Sequence, residues 1–536
     1  MRKLTSLLFI CLSLIALVQC AKRGSPTGGE KDEEGPELIK AYPAHLSVKF
    51  KGQKFKLLFN EYVQLKDVES QLVVSPPLKY APEIKPTNRA SKILEITLKD
   101  SLQANTTYSF NFGQSIVDFN EGNPNDFLSY VMSTGSFIDS LQMSGIVDDA
   151  INANVDRYVS VMLYRVDSTF TDSIIYKKPP NYITNTLDSL IVFKLKNLSA
   201  GTYAILALKD ENNNTLFDQS QEKIGFLDRY IEIPKDSFIS IKMFKEIPNY
   251  RVVKPKLEAA NKITFGYSGL AQDLDIRPLL ALPDSVKTRV LKERGKDSLN
   301  FWFTPTETDS LQFIVTHKIL QKIDTFTVKT RKMKADSIII SPEKRGNAPF
   351  SRPYFLEVNT PIKAINSQKI IITNRDTLLV PFKSYLDTVE NKIGLTFAIK
   401  TEERFRIQMF PGAIEDLFKN VNDTISYELS TKSKESYGSL SLKLKTSSSS
   451  QMIVQLTNEK EEVQREQRGP SDQVFFFEYL DPQKYKLRVI YDYNSNGFWD
   501  TGDYLKKLQP EVVAYYPELL EVRANWEFEE IFILPN

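Results

Sequence analysis

Two polar loops hold the residues best placed to do chemistry. One reads Asp492-Tyr-Asn494-Ser-Asn496-Gly497-Phe-Trp-Asp500-Thr-Gly-Asp503, with side-chain oxygens at positions 1, 3, 5, 9 and 12 and glycine at 6. At that spacing, alternating short side chains turn inward and can surround a hard cation such as Ca²⁺. The other offers Asp210, Asn212, Asn214 and Asp218, but its twelfth position is Gln221 and the carboxylate of Glu222 comes one place late. Calcium is therefore expected to favour the Asp492 loop. The competing reading needs no metal, because Asn and Asp side chains also cap their own backbone in Asx turns. No cofactor beyond this possible Ca²⁺ is implied.

The loops follow strands of the same kind. Residues 203–208 (YAILAL) run into the first and 485–490 (YKLRVI) into the second. Leu198, Tyr203, Asp210, Asn212, Asn214 and Asp218 stand at the same spacing as Leu480, Tyr485, Asp492, Asn494, Asn496 and Asp500, which marks an internal repeat. The loop spacing resembles an EF-hand or dockerin loop, although no flanking helix pair is evident. With the strand 159–164 behind Ser144-Gly145-Ile146-Val147-Asp148, the repeat unit resembles transthyretin-like or carboxypeptidase-regulatory-like β-sandwiches. The resemblance implies non-catalytic attachments, over 137–245 and 433–536.

Other chemistry is poorly supplied. His45 and His317 are the only histidines in 536 residues, and neither sits in a nucleophile or zinc motif. Both read as ordinary surface or turn residues. Carboxylates could act in pairs, as in glycosidases, but 67 Asp and Glu single out no pair. The chain is expected not to be an enzyme. Tyr515, Tyr516, Trp526 and Phe528 could line a carbohydrate or partner platform; the alternation through Ile531 and Phe532 favours a final core strand.

The amino terminus supplies an address. Met1-Arg2-Lys3 precedes an apolar run from Leu8 to Val18, then Gln19 and Cys20. The run is too short for a permanent span. The segment resembles a bacterial lipoprotein signal at 1–19, which implies acylation of Cys20 and attachment to the outer membrane, on a face the sequence leaves open. Loss of Arg2 and Lys3 brings Lys plus Arg from 69 to 67, equal to the acidic residues, so the basic stripe that nucleic acid requires is missing. Residues 20–37 are small and polar and read as a flexible tether. Within it, Lys31-Asp32-Glu33-Glu34 is similar to the acidic surface-export signals of Bacteroidota lipoproteins.

Beyond Pro36 the pattern alternates with period 2, as at 55–59 (FKLLF) and 93–98 (ILEITL), and turn signals recur every eight to twelve residues. The class expected is all-β, about five sandwiches of roughly 100 residues each. Phe59-Asn60-Glu61-Tyr62, Val74-Ser75-Pro76-Pro77, Asn105-Thr106-Thr107-Tyr108, Asn111-Phe112-Gly113, Ile116-Val117-Asp118, Asn120 to Asn123 and Ser133-Thr134-Gly135 resemble the SbsA-type bacterial Ig-like domain over 38–136. This domain fronts many Bacteroidota lipoproteins, which implies scaffolding or adhesion. Asn359 to Ile362, Ile407 to Phe410, Ile414-Glu415-Asp416 and Leu429-Ser430-Thr431 repeat it in order, giving a degenerate copy over 336–432. Residues 246–335 read as a sandwich of unassigned type. The whole is a tandem array of Ig-like and transthyretin-like β-sandwiches behind a lipoprotein signal peptide. Its expected work is as a structural or accessory binding subunit beside an envelope protein partner. The alternatives are a surface glycan-binding protein and a carboxylate-dependent hydrolase.

Overall fold

A computed structural model describes residues 32–535, apart from 126–127, 187–190, 272, 344–345, 348–349 and 351. The signal segment and Cys20 lie outside the described residues. Among the described residues, regular structure is almost entirely strand, with one four-residue helix, Val68–Gln71, and three short 3₁₀ turns. The all-β expectation is met. Two compact units divide the chain: the first runs to Gln142 and takes in 181–184 and 195–200, and the second comprises the remainder.

In the first unit, period-2 sequence becomes a two-layered sandwich. Lys54–Leu65 buries Phe55, Leu57, Phe59 and Val63 and turns the intervening polar residues outward. One sheet runs Leu38–Tyr42, Lys54–Leu65, Ser91–Thr97, Glu83–Lys85, with Ile116–Asp118 also on the second of these; the other runs Val73–Ser75, Thr107–Asn111, Ser129–Ser133. Between them Phe55 stacks on Tyr130 at 4.3 Å and meets Phe110 edge-on at 5.0 Å. Residues 32–37, expected to be flexible tether, are instead strapped to this sandwich. Asn123 donates to the Asp32 carbonyl, Asn125 to that of Pro36, and Glu37 N–H donates to Asn60.

Within the second unit the same strand order recurs twice. Ile340–Pro342, Tyr354–Val358, Lys392–Phe397 and Phe382–Asp387 form one sheet of the fourth sandwich. Its other sheet runs Ile370–Thr373, Arg404–Met409, Ile425–Ser430, with Gly346–Asn347 added at the edge. The stretch of unassigned type follows suit. Lys256–Ala259 pairs with Lys262–Ser268, then come Ser298–Phe303 and Thr288–Lys292, opposite a sheet of Leu274–Pro278, Ser310–His317 and Lys322–Lys329. Its sequence hid this because the turn motifs that mark the first sandwich are absent, while the strand order survives.

The two sandwiches that carry the polar loops also match strand for strand. In each, the first strand pairs in parallel with the last: Leu141–Asp149 with Phe238–Phe244, and Gly438–Lys445 with Glu527–Ile533. Ser160–Arg165 beside Gly201–Leu208 corresponds to Gln451–Thr457 beside Lys484–Asp492. One difference accompanies a change at a single position. Ile224–Phe226 also pairs with Phe238–Phe244 and joins both halves into one eight-stranded sheet. A Cβ on Gly225 would stand 2.7 Å from the Lys242 carbonyl oxygen. Register puts Ala514 at the equivalent place in the later copy, and there the two halves remain separate sheets.

Candidate functional site

Each polar loop closes on itself through its side chains. Asp492 accepts N–H groups of Asn496 and Gly497 at 3.0 and 2.8 Å, Asn494 accepts from Asn496, and Asn496 accepts from Phe498. Gly497 takes the positive φ of 79° that this turn requires. Both amide nitrogens, Asn494 Nδ2 and Asn496 Nδ2, donate to one oxygen of Asp500. The earlier loop repeats the scheme: Asp210 accepts from Asn214 and Thr215, Asn212 from Asn214, and Asn214 from Leu216. Asp218 caps Ser220, and that bond, Ser220 hydroxyl first, holds its carboxyl below the usual range.

A second carboxylate locks each loop. Glu222 is 1% exposed and accepts Glu211 N–H at 3.1 Å and Asp218 N–H at 2.8 Å. Glu511 accepts Tyr493 N–H at 2.8 Å and Asp500 N–H at 3.0 Å, the same two places in the repeat. Burial pushes the carboxyls of both above the ordinary glutamate range. Sequence reasoning named Glu222 as a late ligand and missed Glu511, because seven extra residues separate it from Asp500. Asp503, the expected twelfth-position ligand, belongs to that insertion, where its carboxylate faces Lys506 at 2.7 Å. Among the described residues, no three His, Cys, Asp or Glu side chains gather as a metal site of those ligands would.

The insertion is a finger that docks the later copy on the earlier one. Asp503 and Leu508 exchange backbone bonds at its base. Thr501 donates to the Lys245 carbonyl at 2.7 Å, Tyr504 N–H donates to Glu246, and Gln509 donates to the Phe226 carbonyl at 3.0 Å. The Tyr504 ring meets Phe226 edge-on at 5.2 Å, and Lys507 bridges from its face to Asp172. Glu246 is 3% exposed, and burial raises its carboxyl. A second patch joins the same two sandwiches. Arg488 and Tyr515 both donate to the Ile151 carbonyl, at 2.8 and 2.6 Å, while Glu461 accepts Ala153 and Asn154 N–H groups.

Other expected residues take different places. Tyr515 is spent in this dock, and Tyr516 packs on the core with its hydroxyl on Glu530. Phe528 and Phe532 point inward as a final core strand requires, but Trp526 is 53% exposed just before that strand starts. His317 is no surface residue either. It is 2% exposed, with Tyr250 edge-on at 4.4 Å, Nδ1 accepting Leu320 N–H and Nε2 at 3.0 Å from the Leu270 carbonyl. His45 is exposed, as expected, and accepts Val131 N–H.

Residues 32–134 match the family described as "Bacterial Ig-like domain", the region where the sequence showed that resemblance; the match starts where the strap starts. No curated protein sequence matches the chain. Solved structures that share folded segments include a crystal structure of the S-layer protein rSbsC(31-844), at 8% identity over 70% of this chain and 64% of that one, TM-score 0.16. The chain thus spans less than two thirds of that protein. A biofilm associated protein (BSP domain) matches at 8% identity over 95% and 98% of the two chains, TM-score 0.16, and titin domains A168-A170 at 11% over 52% and 98%, TM-score 0.14. Scores this low bear on neither arrangement nor function.

Proposed function

We propose that this chain is a lipid-anchored protein of the bacterial outer membrane that works by binding, as a structural or accessory subunit beside an envelope protein partner. The observation that carries the reading is how the buried carboxylates are used. Asp118, Asp416, Glu222, Glu246, Asp492 and Glu511 are all buried, and each accepts N–H groups that close a loop or join two sandwiches. Groups held this way stiffen a scaffold and are poorly free to move a proton. The match to a bacterial Ig-like domain at the front of the chain and the signal-like segment before it support an envelope location. Crosslinking in intact cells, followed by purification of the full-length protein from membranes, tests the proposal. A stoichiometric envelope partner is the expected result. A hydrolytic activity of the pure protein, abolished by one carboxylate substitution that leaves its melting unchanged, overturns it.

A further inference from the structure

The last sandwich carries an open groove of about 220 Å³ that none of the loops above touches. Its walls are Tyr437, Phe476, Tyr479 and Trp526, and its polar lining comes from Lys434, Glu435, Ser439, Glu478, Asn525 and Glu527. Phe476 is 49% and Trp526 53% exposed, although Phe476 lies between two buried rings, Phe475 and Phe477, on the same strand. The walls are firmly set. Asn525 N–H donates to the Tyr437 carbonyl and Ser439 N–H to that of Trp526, both at 2.9 Å. Gly438 lets that loop come close: a Cβ there would lie 2.8 Å from the Arg523 carbonyl oxygen. Tyr437 and Tyr479 brace each other edge-on at 5.9 Å, and Phe350 stacks on Tyr479 at 5.1 Å.

We propose that this groove binds a neutral carbohydrate. A sugar ring presents an apolar C–H face that lies on aromatic rings, and a rim of hydroxyls that both donate and accept. The groove offers both halves: exposed ring surface on Phe476 and Trp526, acceptors on Glu435, Glu478 and Glu527, and donors on Lys434 and Asn525. The other ligand that aromatic rings and carboxylates attract is a cation. Here the chain has already filled those positions. Arg523 lies 5.1 Å from the Trp526 ring and Lys432 5.7 Å from that of Tyr437, each also paired with a carboxylate outside the groove, Glu521 and Asp481. The remaining exposed ring, Phe476, has the face least suited to a cation and well suited to C–H groups. The site is independent of the proposed partner, so either reading can fail alone.

The test is affinity electrophoresis of the full-length detergent-solubilised protein through gels containing soluble neutral polysaccharides (a mannan, a xylan, a mixed-linkage glucan and a galactan). At least one should retard the wild type, with little change between 50 mM and 500 mM salt. Trp526→Ala and Phe476→Ala should each weaken retardation about tenfold or more, at unchanged melting temperature. Tyr493→Ala, which removes an exposed ring from the polar loop, should leave it intact. No retardation by any of the four overturns the proposal, as does equal retardation of the Trp526 and Phe476 variants. Binding of oligolysine that Trp526→Ala abolishes and salt suppresses, in place of the polysaccharides, would reassign the groove to a basic peptide.

Discussion

Single buried side chains here do work that their sequence neighbourhood only half announces. Asp118 is fully buried and accepts N–H groups of Glu121, Gly122 and Asn123 at 2.6, 3.0 and 2.7 Å. Burial acts to raise its carboxyl, but these backbone bonds outweigh burial and hold it below the ordinary value of 3.8. An amide in its place offers one oxygen to three donors, so Asp118→Asn should cost about 1–3 kcal/mol in urea unfolding at pH 7. The sign with pH follows from the lowered value. Stabilisation by the carboxylate is complete above 3.8 and lost as pH falls through the folded-state value, so the gap between wild type and variant should close in acid. A gap that stays constant down to pH 2 would contradict the assignment. Tyr504 gives a different contrast. Its ring is 2% exposed in the dock, whereas its buried hydroxyl has no partner among the described residues. Tyr504→Phe should therefore leave stability unchanged or raise it by up to about 1 kcal/mol, while Tyr504→Ala should lose about 3–5 kcal/mol by calorimetry.

At the scale of elements, the two polar loops and the finger separate closure from docking. Loop closure rests on Asx bonds and on Glu222 or Glu511, with the Asn oxygens already turned to backbone N–H groups. Chelation of Ca²⁺ should consequently leave the melting temperature unchanged, whereas Glu511→Ala should lower it in either condition, by about 1–3 kcal/mol of stability. A melting rise in millimolar Ca²⁺ that Asp492→Asn removes would show instead that the oxygens serve a cation. The earlier loop reaches from Asp218 to Glu222 in four residues, so the later copy can be shortened to the same length. Deleting 503–509 should keep the final sandwich folded and its Glu511 lock in place while weakening its coupling to the earlier copy, which then rests on Thr501 and on the Arg488, Tyr515 and Glu461 patch. Combined with Glu461→Ala and Tyr515→Phe, the deletion should split one calorimetric transition into two, and a single transition at an unchanged temperature would mean the finger contributes nothing to the coupling.

For the whole molecule, the proposed lipid anchor would decide where these sandwiches are displayed. Metabolic labelling with an alkyne fatty acid should mark the wild type and miss Cys20→Ser, since Cys20 is the only thiol beyond the expected signal. Equal labelling of both would end the lipoprotein reading. Much of the fold was legible beforehand: period-2 alternation fixes which side chains face inward, and short turn motifs mark an Ig-like domain, so strand content and the first sandwich follow from local pattern. The polar loops were legible for the same reason, since Asx turns are made by residues two to five apart. What the chain could not announce depends on contacts across hundreds of positions. Glu511 stands in for Glu222 only once a seven-residue insertion has folded out of the way. Trp526 is exposed because the strand begins one residue after it, and His317 is buried because the Leu270 loop folds over it. Gly225 and Ala514 look interchangeable in sequence, yet the two half-sheets merge in the copy with glycine and are separate in the copy with alanine. Local spacing set the strands and turns; only the tertiary structure, through close backbone approach and burial between distant segments, decided which sandwiches dock and which aromatic rings remain exposed.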